Sequence, residues 1–202
     1  VRYLLLFDAS GLNDVSEVTS STLDCIDVLD VHRFDEAALL TYLEQNVEGF
    51  APPLTVQQFQ GGMSNPTFRL IDGNGKSYVM RKKPPGKLLP SAHAVDREYR
   101  VITALGDSDV PVPRTHVLCE DDHVIGTAFY VMEHVVGRVF LDPTLPALSN
   151  EARSDVYASM NTALAALHNV DYRAVGLDGY GREGEYCARQ VNRWTKQYLA
   201  SK

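Results

Sequence analysis

The residues best equipped for chemistry gather in two short stretches, "SYVMRKK" at 77–83 and "AVDREYRVITAL" at 94–105. Alternation along an extended strand puts Val79, Arg81 and Lys83 on one face and Tyr78, Met80 and Lys82 on the other. In the second stretch Val95, Glu98, Ile102 and Leu105 recur at helical spacing, flanked by Ala94 and Val101, so Glu98 falls inside the stripe expected to pack against a neighbouring layer. A carboxylate buried there without a cation is strongly unfavourable, and Arg81 or Lys83 on the preceding strand is the obvious partner. If Glu98 instead sits at the edge of the stripe, it reaches water. Upstream lies "GGMSN" at 61–65. Gly61 and Gly62 would let backbone N–H groups approach phosphate oxygens with no Cβ in the way, and Ser64 and Asn65 would add side-chain donors. The plainer reading of the same glycines is the turn of a β-hairpin. A cation steadied by a carboxylate beneath a glycine-rich loop is an arrangement that grips phosphates.

These groups need elements to hold them. "FDEAALLTYLEQN" (34–46) predicts a helix with Asp35 as N-cap and Ala38, Leu39, Tyr42 and Leu43 on one face. The period then changes: "LTVQQF" (54–59), "PTFRLI" (66–71) and "SYVMRKK" (77–83) read as three antiparallel strands, the last two separated by "DGNGK", a hairpin signal. A helix over 91–105, a loop containing "VPVPR", and strands at "THVLCE" and "TAFYVME" joined by "DDHVIG" follow. Beyond Gly137 the pattern is helical, over 149–168 and again over 185–200, where Val191, Trp194 and Tyr198 make the packing side. On the second helix Arg189, Arg193 and Lys196 read as a solvated face, or as contacts for an acidic acceptor.

Several other readings fail or weaken. "GNGKS" at 73–77 looks like the end of a phosphate-binding G-x-x-x-x-G-K-[ST] loop, but Leu70 stands where the first glycine belongs and a strand follows instead of a helix. "FDASG" near the start resembles the aspartate loop of haloacid-dehalogenase-type phosphatases, with Asp8 as nucleophile, yet Ser10 replaces the second aspartate. Cys25, Cys119 and Cys187 form no C-x-x-C pair and are expected to be reduced thiols. The net charge of -7 is concentrated in residues 1–31, which carry -5 and read as an acidic leader of uncertain order. No basic, aromatic-interleaved patch supports nucleic-acid binding. The apolar runs "YLLLF" and "TAFYVM" are far shorter than the roughly 20 residues of a membrane span, and no secretory signal is evident, so a cytoplasmic protein without a membrane partner is expected. At 202 residues and 45% hydrophobic content the chain can bury the core of one large domain or two small ones.

The succession "GGMSNPTFRL", "YVMRKKPPG", "DREYRVITAL", "VPVPR", "FYVMEHVVGRVF" and "LAALH" resembles the aminoglycoside-phosphotransferase-like, or phosphotransferase enzyme, family over roughly residues 32–202. "GLDGYGREGEYCARQVNRWTKQY" is similar to the branch whose kinase-like domains are fused to acyl-CoA dehydrogenases. The resemblance implies an α+β, protein-kinase-like fold: an N-lobe (32–133) of antiparallel sheet plus helix, then a hinge and the first helices of a mainly helical C-lobe (134–202). It implies ATP and Mg²⁺ as cofactors and a small-molecule hydroxyl as phosphoryl acceptor. Gly61, Gly62, Ser64 and Asn65 would cover the phosphates, and Arg81 would take the place of the phosphate-gripping strand lysine, with Lys83 able to share the role. Glu98 would be the helix partner of that cation. Backbone groups of Glu133 and Val135 would hold adenine in a pocket lined by Val79 and Met132.

One family feature is missing from these 202 residues: the H-G-D-x-x-x-x-N loop that supplies the catalytic aspartate and a Mg²⁺ ligand. "HNVD" at 168–171 lacks the glycine, and Gly176 stands where the asparagine would be. His168 therefore reads as a helix-end residue and Asp178 as a turn residue. The expectation is a nucleotide-binding half that does not transfer phosphate by itself, the alternative being a non-catalytic kinase-like module. Half a kinase fold would also expose apolar surface able to drive self-association.

Overall fold

The computed structural model describes residues 4–6, 25–60, 65–86, 93–140, 142–181 and 184–200. Gly61, Gly62 and Ser64 of the glycine-rich loop, and Asp8 of the phosphatase-like reading, lie outside the described residues. In chain order the elements are β1 (Leu4–Leu6), β2 (Cys25–Ile26), α1 (Glu36–Asn46), β3 (Thr55–Phe59), β4 (Thr67–Ile71), β5 (Ser77–Lys82), α2 (Val95–Leu105), β6 (Thr115–Cys119), α3 (Asp122–Ile125), β7 (Phe129–Glu133), β8 (Arg138–Phe140), α4 (Asn150–His168) and α5 (Tyr186–Ala200).

The main sheet has six antiparallel strands in the order β2-β3-β4-β5-β7-β6, and β1 pairs with β8 in a separate two-stranded ribbon. The expected three-strand meander and the later strand pair thus join edge to edge, β5 against β7. Two pieces of the acidic leader take part as well, β2 against β3 and β1 against β8. Pairing across the centre decides which side chains share a face. Phe68 stands opposite Met80, and Met80 opposite Val131, on one face; Thr67 stands opposite Arg81, and Arg81 opposite Tyr130, on the other.

The first face carries the core. Asp35 caps α1 by accepting the Ala38 N–H at 2.9 Å, worth about 1 kcal/mol, and the helix buries Leu39 and Leu43 completely against Phe68, Leu70, Tyr78, Met80, Phe129 and Val131. Each such side chain contributes about 2 kcal/mol of hydrophobic stabilisation. Helix α2 packs toward the opposite face, where Val95, Tyr99 and Ile102 meet Ala128, Tyr130 and Met132. The sheet is therefore covered by α1 on one side and, over its β6–β7 end, by α2 on the other.

Two features depart from expectation. Helix α2 begins at Val95, not at 91, because His93 takes a left-handed φ of 58° that an α-helix does not accommodate. The segment "DDHVIG", expected as a bare turn, closes one helical turn, α3, with Asp121 accepting the His123 N–H at 2.9 Å and Gly126 ending it at φ 83°. The hairpin "DGNGK" forms as expected: Asp72 Oδ1 accepts the Asn74 and Lys76 N–H groups at 2.9 and 2.8 Å.

The chain divides into two compact units, Val1–Asn169 and Val170–Lys202. The first ends with α4, whose last residue is His168, consistent with a helix-end role. In the second, Asp171 Oδ1 accepts the N–H groups of Arg173 and Ala174 at 3.0 and 3.2 Å, and Asp178 forms an ion pair with Arg173 at 3.8 Å, which makes both aspartates turn-forming residues. The expected packing side of α5 is not buried: Val191, Trp194 and Tyr198 are each more than 60% exposed, and among the described residues of its unit there is no other helix or strand.

Candidate functional site

Glu98 is the hub of the α2-covered face. It sits one turn into α2, where the helix turns its carboxylate back toward the sheet. Its Oε2 lies 3.4 Å from Arg81 Nε and accepts the Tyr130 hydroxyl at 3.1 Å, while its Oε1 accepts Asn65 Nδ2 at 3.1 Å. The other end of the Asn65 amide, Oδ1, meets His93 Nδ1 at 2.9 Å. A carboxylate only accepts, so the amide must turn its NH₂ to Glu98; Oδ1 then accepts, and His93 must carry its proton on Nδ1.

Strand β5 ends at Lys82, and the Lys83 N–H still donates across to the Ala128 carbonyl at 3.1 Å. Among the described residues the ion pair to Glu98 comes from Arg81. Both partners are about one-third exposed, 33% and 35%, so Glu98 is paired and also touches solvent, and the two alternatives posed for it are both partly realised. The contact is electrostatic: the buried Arg81 Nε–H has no hydrogen-bond partner, being misaligned with Glu98 Oε2. The guanidinium is thus held toward Glu98 by charge.

Tyr130 and His93 were missed by the sequence reading. Tyr130 could have been found from β7 alternation, since it shares a face with Met132, already marked as pocket-lining. Burial drives its phenol pKa upward, an effect opposed by Arg81 and reinforced by Glu98, so the hydroxyl keeps its proton and donates. His93 carried no local signal, because its role depends on a left-handed backbone that no pattern announces.

The remaining expected residues fall as follows. Val79 stands directly opposite Met132 across β5 and β7, on the face that bears Arg81. Asn65 is 3% exposed, and its side chain meets Glu98 and His93. The Glu133 N–H donates to the Arg114 carbonyl at 2.7 Å, so that N–H is already engaged by the protein. Next to Glu133, His134 stacks on Phe59 at 6.2 Å, its pKa lowered by burial and by Arg69.

Comparison with known proteins agrees with this architecture. The sequence model described as "Phosphotransferase enzyme family" matches residues 55–202, and the chain belongs to that family. The crystal structure of a candidate aminoglycoside phosphotransferase from Ralstonia eutropha JMP134 superposes with a TM-score of 0.73 at 52% identity, covering 84% of this chain and 49% of that one. The fold is accordingly α+β and protein-kinase-like. Among curated proteins, "Probable acyl-CoA dehydrogenase IBR3" of Arabidopsis thaliana is 53% identical over 190 residues, 90% of this chain and 23% of that protein. The human "Acyl-CoA dehydrogenase family member 11" is 48% identical over 182 residues, 88% of this chain and 23% of its own. The chain spans about a quarter of the length of these curated relatives. Among the described residues, no helix is long and apolar enough to cross a membrane.

Proposed function

We propose that this chain is the nucleotide-binding part of an ATP-dependent small-molecule phosphotransferase, working on the cytoplasmic side, in which the γ-phosphoryl group passes to an acceptor hydroxyl. The observation that carries the reading is the Arg81–Glu98 pair: a guanidinium about one-third exposed, whose Nε lies 3.4 Å from a helix carboxylate. Such a group can fork toward two phosphate oxygens, where a lysine in its place would act as a point charge. Val79 and Met132, opposite each other on the same face, would flank the base, and the Glu133 carbonyl with the Val135 backbone would read its edge.

The donor set does not fit Mg²⁺ in the same way. Among the described residues no group of three or more His, Cys, Asp or Glu side chains could hold a metal ion, and the sequence contains no H-G-D-x-x-x-x-N loop. No step is therefore routed through the metal here, and phosphoryl transfer by residues 1–202 alone is expected to be undetectable. The alternative is a kinase-like module that binds nucleotide without transferring phosphate.

Titration calorimetry with ATP and with ADP tests the site. Arg81→Ala and Glu98→Ala are each expected to weaken ATP binding about tenfold or more, the equivalent of one lost charge-assisted contact. Unchanged affinity in both variants would remove the assignment. The two readings part on a longer polypeptide that includes the sequence following Lys202 in its gene: transfer to a hydroxyl acceptor supports the enzyme, and binding without turnover supports the module.

A further inference from the structure

The sequence suggests Asn65 as a direct phosphate contact, adjoining the glycine pair; the geometry points elsewhere. We infer that Asn65 is a positioning residue that sets Arg81 for the phosphates by locking the Glu98 carboxylate. The inference rests on the nucleotide-binding reading above and names a determinant within that same site.

Three observations carry it. Asn65 is 97% buried (3% exposed), and both ends of its amide meet protein groups, which leaves its side chain almost no surface to offer a ligand. Its Nδ2 takes Glu98 Oε1, whereas Arg81 and the Tyr130 hydroxyl both meet Oε2. A carboxylate rotates freely about its last carbon–carbon bond unless both oxygens are claimed. With Oε1 tied to Asn65, Oε2 must present itself to Arg81, and the guanidinium is steered by an oxygen that cannot swing away. Finally, the Asn65 amide is itself prevented from flipping, because His93 Nδ1 donates to its Oδ1 at 2.9 Å from a residue held at φ 58°.

A residue that works through Glu98 leaves a signature that a direct contact does not. Affinities for ATP and, by competition, for adenosine would be measured on the 202-residue chain carrying Asn65→Asp, Asn65→Ala, Glu98→Ala and the Asn65→Ala/Glu98→Ala pair. Asn65→Asp keeps the shape but faces Glu98 with a like charge; Asn65→Ala removes the amide. Both are expected to weaken ATP roughly tenfold, about 1.4 kcal/mol, while adenosine affinity changes less than about twofold. In the Glu98→Ala background, Asn65→Ala should add little further loss, since the oxygen it acts through is gone.

Unchanged ATP affinity in both Asn65 variants would overturn the inference while leaving the nucleotide site standing. Full additivity with Glu98→Ala would overturn it in favour of a direct phosphate contact, and a parallel loss of adenosine binding would reduce Asn65 to a structural role. Should the unaltered chain bind neither ATP nor adenosine, the functional reading falls and the positioning role with it. Urea melts of each variant guard against misfolding, and Asn65→Asp, being isosteric, remains informative if Asn65→Ala unfolds.

Discussion

Replacing Glu98 by alanine should destabilise the folded chain even with no nucleotide present, and the size of the loss can be worked from the site. At 3.4 Å and an effective dielectric constant of about 20, the gross attraction between Arg81 and Glu98 is on the order of 5 kcal/mol. Desolvation of the two ions and the one-third exposure of each cancel most of that, leaving about 1 kcal/mol for the pair. The alanine variant also strands the Tyr130 hydroxyl and the Asn65 NH₂, each held at 3.1 Å and on buried residues. Losing a partner there costs about 1 kcal/mol apiece, softened where water can enter from the exposed side of the carboxylate. The total is about 2–4 kcal/mol. Glu98→Gln, which keeps one acceptor oxygen, should lose about half as much. Equilibrium urea unfolding followed by circular dichroism reads both, with an unchanged m-value to show that the denatured state is the same. A loss below about 0.5 kcal/mol for Glu98→Ala, the range of an ordinary surface change, would show that the carboxylate does not fasten α2 to the sheet.

Two further outcomes test other parts of the fold. A Cβ on Gly73 would stand 1.9 Å from the Pro52 carbonyl oxygen, and Gly73 N–H donates to the Ala51 carbonyl at 2.7 Å, so Gly73→Ala must push backbone from backbone and should cost about 3 kcal/mol by urea melts. A neutral result would show that the approach of that loop is not as tight as described. Lys82, 3% exposed, lies over the rings of Phe34 and Phe68 at 5.7 and 6.0 Å with its pKa lowered by burial. Between that lowered value and 10.5 the unfolded chain binds the extra proton, so this residue's contribution to stability rises with pH across the window. Lys82→Met should gain most over the native chain at neutral pH, with the gap closing as pH approaches 10.5; thermal melts showing the gap widening would reverse the sign of the argument.

Most of the scaffold was legible in the chain because it is written in short-range periods. Period-two alternation marked β3, β4, β5 and β7, helical spacing marked α1 and α4, and "DGNGK" marked the β4–β5 turn. Glu98 could be matched in advance to a cation of β5, Arg81 or Lys83, because it lies in the packing stripe of a regular element, where an unpaired charge is not tolerated. The apolar stripe of α5 shows the limit of the same logic: amphipathic spacing says that a face prefers cover, and nothing in it says whether the covering element belongs to these 202 residues.

Other features depended on where distant segments meet. The pairing of Glu98 with Arg81 depends on where α2 lies against β5, and the amide of Asn65 is oriented by a left-handed His93 that lies 28 residues along the chain. Local sequence determined the face each side chain occupies, because alternation and helical pitch are properties of adjacent residues. Only tertiary structure decided which oxygen of Glu98 serves which donor, because hydrogen-bond direction depends on angles and ångström-scale distances set by the packing of the whole sheet against α1 and α2.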